Sequence, residues 1–206
     1  MAKEETPLEY LANYLPTGCI NEVLYFLQLY NVHLTITRKR ISILGDYRHK
    51  TKTQNHRISV NGNLNPYAFL ITLLHELAHL ITFERHGNRI APHGPEWKSA
   101  FSSLIQHFIR LHIFPDDILH SLTRSQHNPA ASSCADEHLM RVLQKYNPPS
   151  AWTTVEQIRI NQFFKIKGGR VFLRGEKQRT RYKCKELATG KEYLFNALYE
   201  VIALKQ

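Results

Sequence analysis

The spacing of apolar residues along this chain switches between two periods, and each switch marks an element. Thr6-Pro7-Leu8-Glu9 carries an N-cap, a proline at the first helical position and a capping box, which predicts a short helix over 6–14. Ile20, Val23, Leu24, Leu27 and Tyr30 recur at helical spacing and predict a second helix over 18–30. The period then falls to two: Val32, Leu34 and Ile36 alternate with His33, Thr35 and Thr37, the mark of a half-buried strand. Arg40–Gly45 and Arg57–Val60 read as two further strands, separated by the polar loop Lys50–Asn55, which is read as a solvated hairpin tip in preference to a basic loop that touches DNA. Residues 66–86 are apolar nearly all round, so this helix is expected to be central and buried, with Asn65 as N-cap and Pro66 at its first position. Trp97, Phe101, Leu104, Ile105 and Phe108 give a helix over 95–112 one apolar face.

Shorter helices are expected at Asp116–Ser125 and Asp136–Tyr146, with Asn128–Ser133 as a loop between them. Asn147-Pro148-Pro149-Ser150 is the best domain boundary, dividing residues 1–147 from 151–206. Beyond it, Phe163–Ile166, Arg170–Arg174, Arg179–Leu187, Glu192–Phe195 and Leu198–Ile202 read as short strands, with Gly168-Gly169, Gly175 and Gly190 at turns. The pattern is α+β: helices with a small three-stranded sheet, followed by a small β-barrel-like domain.

The buried helix carries the chemistry. His75, Glu76 and His79 read His-Glu-Leu-Ala-His. Residues four apart lie on one helix face, so the two imidazoles can hold one metal ion, while the intervening glutamate is placed to act as general base on a water. Catalytic zinc takes three protein ligands, so a third must come from elsewhere. The extended motif with Gly at 82 and His at 85 is ruled out by Thr82 and Arg85. His86 lies two turns after His79, about 10 Å along the axis and too far to share one ion. His93, in a loop before a helix start at Gly94-Pro95, is the preferred ligand, and Glu96 is the alternative.

His75-Glu76-Leu77-Ala78-His79 followed by His93-Gly94-Pro95-Glu96-Trp97-Lys98 resembles the SprT-like family, which includes bacterial SprT proteins and the eukaryotic protease Spartan. The resemblance covers about residues 19–110 and extends back through Ile58-Ser59-Val60-Asn61. It implies a minimal zincin-like metallopeptidase domain with an antiparallel three-stranded sheet. It also implies one zinc ion held by His75, His79 and His93, with Glu76 as catalytic base, and an activity against proteins, notably those crosslinked to DNA. The chain departs from many relatives in lacking their CxxC zinc ribbon, since Cys19, Cys134 and Cys184 form no CxxC pair. It is similar in this to shorter bacterial members.

Composition adds a partner and a compartment. The chain has a formal net charge of +10. Residues 151–206 contribute most of it, with 12 Lys and Arg against 5 acids. Arg179, Arg181, Lys183 and Lys185 fall on one face of a strand by its period of two, with Arg170, Arg174 and Lys177 on the preceding strand or turn. Phe172, Tyr182 and Tyr193 are interleaved aromatics. Clustered cations suit phosphate contacts and aromatics suit stacking on unpaired bases, so DNA with single-stranded character is the expected partner beside a protein substrate. No run of 18 apolar residues and no signal peptide is present, and three scattered cysteines fit a reducing compartment. A cytoplasmic protein without a membrane partner is expected.

Overall fold

The computed structural model describes residues 8–40, 43–125 and 136–204. The Thr6-Pro7 cap, the Asn128–Ser133 loop and Cys134 lie outside them. The chain divides into two compact units, Met1–Asn147 and Pro148–Gln206.

The first unit begins with a 3-10 helix, Leu8–Tyr14, where an α-helix is expected from the sequence. Helix α1 (Ile20–Leu29) follows and buries Val23 and Leu27. Three strands come next: β1 (His33–Thr37), β2 (Gly45–Arg48) and β3 (Arg57–Asn61). Their order is β1-β3-β2. Here the structure corrects the expectation of an all-antiparallel sheet. β2 pairs antiparallel with β3, but β1 pairs parallel with it, Leu34 opposite Ile58 and Ile36 opposite Val60. Alternation of apolar residues reports a strand's buried face and not its direction. The long connection between Thr37 and Arg57 lets the chain return and enter β3 alongside β1.

The second strand is observed at Gly45–Arg48, and of the strand expected over Arg40–Gly45, Ile41 and Ser42 lie outside the described residues. Arg40 leaves the ladder and donates through Nε to Asn61 Oδ1 (2.7 Å), and through its terminal nitrogens to Ser59 Oγ (2.9 Å) and the carbonyl of Leu44 (3.3 Å). Asn61 is buried, and its amide donates back to the carbonyls of Arg40 (3.3 Å) and Ile43 (3.0 Å). These side-chain bonds tie Arg40 and Asn61 to the start of β2 at Gly45.

Helix α2 (Pro66–His86) runs through the middle of the unit, and 14 of its 21 residues are buried. Its start is set by Asn65, whose side chain accepts from the amide of Ala68 (3.0 Å) and donates to the carbonyl of Leu143 (2.9 Å) and to Asn147 (2.7 Å). Its end is set by Gly87 at φ 65°, where a side chain would be strained. The helix is long and apolar enough to cross a membrane by length and composition alone, but 72% of that stretch is buried inside the unit, as befits a core helix. Helix α3 (Pro95–Ile109) lays Trp97, Ala100, Phe101, Leu104, Ile105 and Phe108 into the same core. Helices α4 (Asp116–Ser125) and α5 (Glu137–Gln144) complete the unit, tied by Tyr146, which donates to Asp117 (2.6 Å).

The second unit is a six-stranded antiparallel sheet of β4 (Trp152–Thr154), β5 (Phe163–Lys165), β6 (Val171–Gln178), β7 (Arg181–Glu186), β8 (Glu192–Asn196) and β9 (Glu200–Ala203). Its order is β4-β9-β5-β6-β7-β8. Five strands are expected from the sequence. β4 is the extra one, three residues being too few to display a period. The hydrogen-bonded ladder has two ends, so it is open where a barrel's would close. The sheet wraps its own core, in which Phe164, Phe172, Tyr182, Cys184 and Val201 are buried and Phe195 packs against Phe172 at 4.9 Å. A bulge between Arg174 and Lys177 bends β6, and a Cβ on Gly175 would lie 2.5 Å from the Lys183 carbonyl oxygen.

Candidate metal centre

His75, Glu76 and His79 all project from α2, and His93 arrives from the loop that precedes α3. That loop turns sharply. The amide of Gly94 donates to the carbonyl of Ala91 (3.0 Å), and His93 takes a positive φ of 59°. The turn brings Nε2 of His93 to 3.2 Å from Nε2 of His75, which lies 3.2 Å from Nε2 of His79. Two nitrogens bound at about 2.05 Å to one zinc ion in tetrahedral geometry stand about 3.3 Å apart, so the spacing fits the donor set. Glu96 does not join this group, and His86 is exposed at the end of α2.

The surroundings fit a cation ligand set as well. One N–H can lie between only one pair of ring nitrogens at a time, so the three imidazoles cannot satisfy one another. Nδ1 of His75 is buried with no hydrogen-bond partner among the described residues. Burial, reinforced by its two neighbours, pushes the His75 pKa down to about 3, and burial and His93 bring His79 to about 4. Burial lowers His93 too. The rings are therefore held neutral, the form that binds a metal without first releasing a proton.

Glu76 is 7% exposed. Burial, with a smaller push from Asp46, raises its pKa to about 8, while Arg40 acts in the opposite sense. The edge strand β2 passes directly over it: a Cβ on Gly45 would lie 2.5 Å from Glu76 Oε1 and 2.8 Å from Thr72 Cγ2. Sequence reasoning did not single out Gly45 or the Arg40–Asn61 network beside it. A glycine at the end of an apolar run was the available signal.

Residues 21–116 match the family model described as SprT-like family. This segment is similar to the SprT-like family. The protein SprT of Vibrio parahaemolyticus serotype O3:K6 (strain RIMD 2210633) is 33% identical over 101 residues, covering 47% of this chain and 59% of the relative. The chain thus matches somewhat over half the length of that relative. No solved structure matches the chain. The SprT-like segment contains all three histidines and Glu76, and it ends at the start of α4.

The basic unit lies beyond the SprT-like segment, and its structure sorts the seven cations singled out from the sequence. Arg170 is committed internally. It pairs with buried Glu186 at 2.6 Å and lies over the rings of Tyr193 (4.8 Å) and Phe172 (5.1 Å). Arg174 lies over the Tyr182 ring at 4.4 Å with its Nε buried, and Lys183 pairs with Glu192 at 2.7 Å. Lys177 sits near the Tyr182 ring at 5.7 Å, by the hairpin tip. Arg179 is in the tip itself at φ 54°, off the strand face on which the period of two put it. Arg181 and Lys185 are exposed on β7, on the face opposite buried Tyr182 and Cys184. The aromatics Phe172 and Tyr182 are core residues. In the first unit, Lys50 of the polar loop pairs with Glu84 at 2.9 Å.

Proposed function

We propose that the SprT-like unit is a zinc-dependent endopeptidase that binds one zinc ion through His75, His79 and His93 and uses Glu76 to move the proton. The convergence of three neutral Nε2 atoms at 3.2 Å spacings, beside a buried glutamate on the same helix, carries this reading. Zinc bound there would supply a polarised carbonyl and a water acidified toward neutrality, and its charge would favour the Glu76 carboxylate. Glu76 takes a proton from the attacking water on its carboxylate and returns it to the departing amine. Gly45 leaves the space that this carboxylate occupies. Three ligands leave the fourth position of a tetrahedral ion open, which distinguishes a catalytic site from a closed structural one.

The basic unit directs the peptidase to protein on DNA in this proposal. Lys177, Arg179, Arg181 and Lys185 are the cations that remain outward for phosphate, whereas Arg170, Arg174 and Lys183 hold the sheet together. Stacking on Phe172 or Tyr182 is no part of it, since both are buried.

The test is cleavage of a protein crosslinked to single-stranded DNA against the same protein free, using the zinc-loaded full chain, Glu76→Gln and Arg181→Glu/Lys185→Glu. Glu76→Gln should lower turnover at least about a hundredfold with zinc still bound. The charge reversals should remove the preference for the crosslinked form and spare cleavage of the free protein. Equal cleavage of both forms by the wild-type chain, left unchanged by the charge reversals, would point to a protein target unrelated to DNA. Absence of cleavage with zinc bound would leave a binding role.

A further inference from the structure

We propose that Trp97 is a positioning residue for the metal centre, its indole forming the wall against which all three histidine rings are set. The inference rests on reading His75, His79 and His93 as metal ligands. The Trp97 ring centroid is 4.7 Å from that of His75, 5.4 Å from His79 and 4.7 Å from His93. Among the described residues, no other side chain outside the ligand set has ring contacts to all three histidines. Behind it, Phe101 stacks on the indole at 5.0 Å and 14°, and Phe101 also meets the edge of His75 at 5.8 Å.

Two features show that the indole's task is packing. Trp97 is 1% exposed, and its Nε1–H is buried without a hydrogen-bond partner among the described residues. An indole that were there for its donor would have an acceptor, because a buried donor left unpaired is costly. The second feature is the backbone of His93. A positive φ is uncommon for a residue with a side chain and persists only when its surroundings hold it there. Trp97 stands in the first turn of α3, four residues after His93, and its ring closes on the imidazole from that side. Remove the indole and His93 gains room to relax toward negative φ and away from His75. Metal ligands are oriented by what surrounds them, and loss of such support typically costs about 10–100-fold in metal affinity.

The chain has two tryptophans, so Trp152→Phe leaves Trp97 as sole emitter in the full-length protein. Zinc affinity is measured by competition with a chromophoric chelator, and coordination geometry by the visible absorption of the Co²⁺ form. Co²⁺ should quench Trp97 emission at one equivalent. Trp97→Leu should weaken zinc binding about 10–100-fold and shift the Co²⁺ band. Trp97→Phe, which keeps a ring but a smaller one, should lose only a few-fold. Both variants should keep the helical circular dichroism of the parent without metal. Wild-type affinity and an unchanged Co²⁺ band in Trp97→Leu would overturn the inference. Should Trp97→Leu fail to fold, the same two readouts on Trp97→Phe decide, together with the quenching; an unmoved band and affinity, or bound Co²⁺ that leaves Trp97 emission unaltered, would overturn it. Failure of the parent itself to bind zinc or Co²⁺ would instead refute the metal reading.

Discussion

Each unit holds a cluster of buried polar groups, and the two clusters are built in opposite ways. In the second, buried Glu186 is saturated. Arg170 donates to it at 2.6 Å, Thr189 donates through its hydroxyl, and Tyr193 donates at 3.4 Å across the neighbouring strand. In the first, three imidazoles converge, and His75 Nδ1 is left without a partner among the described residues. Both arrangements take polar atoms out of water, which is costly unless they are paired. Where the pairing is complete, the cluster is explained by the stability of the sheet. At the imidazoles three donor atoms of one kind converge with their pairing incomplete, and the partner that fits them is one the chain does not encode. The contrast is therefore between a cluster that builds the sheet and a cluster shaped for a ligand.

Several substitutions press on that contrast, the largest effect first. His75→Leu should reduce zinc affinity by at least a hundredfold, because two imidazoles remain of three. It should also raise the stability of the metal-free protein by about 1–2 kcal/mol, since an apolar side chain replaces an unpaired buried polar one. Urea unfolding with chelator present measures this. A drop in metal-free stability would mean that the three rings satisfy one another after all.

Asn65→Ala removes the cap of α2 together with the side-chain bonds to Leu143 and Asn147, and should cost about 1–2 kcal/mol by the same unfolding assay. An effect under about 0.5 kcal/mol would show that packing alone fixes the helix start.

The Glu186 cluster should appear as an acid sensitivity of the second unit. Its pKa is held at about 2, principally by the Arg170 hydrogen bond and then by that of Thr189. A carboxyl depressed on folding stabilises fully above its ordinary range and loses that contribution as pH falls toward about 2. Glu186→Gln should flatten this loss, read as the second unit's thermal midpoint against pH by calorimetry. An unchanged profile would remove Glu186 as its source.

The smallest effects are expected at the outward cations. Arg181→Ala and Lys185→Ala should each shift stability by less than about 0.5 kcal/mol. If the unit binds DNA, each should lower the slope of log affinity against log salt by about one. A large stability loss would place them with Arg170 as structural.

Much of the first unit was legible because its signals are local. Asn65, Pro66 and Gly87 bound α2 at the residues its cap chemistry names. The four-residue interval of His75 and His79 is a property of any helix. The choice between His93 and Glu96 was less so. It depends on a left-handed residue in the 91–94 turn, and nothing in the spacing demands one. Strand direction was hidden for the reason already given, that alternation reports a face. The commitments of the basic residues were hidden too. Arg170 meets Glu186 sixteen positions away across the β6–β7 ladder, whose register a bulge shifts. A count of charges could locate the basic unit but could not say which cations are spent inside it.

The burial of two thirds of α2 has a consequence for inheritance. Fourteen of its 21 residues are buried and have little solvent-facing surface to absorb a change, and the remainder include His79, one of the three converging imidazoles. Random copying errors in this stretch will nearly always be felt as a cavity, a clash or a lost ligand. A lineage carrying this chain can therefore drift on the outward strands of its second unit while the stretch from Pro66 to His86 stays close to its starting text. Saturation mutagenesis scored by soluble yield should show that stretch as the longest intolerant window in the chain.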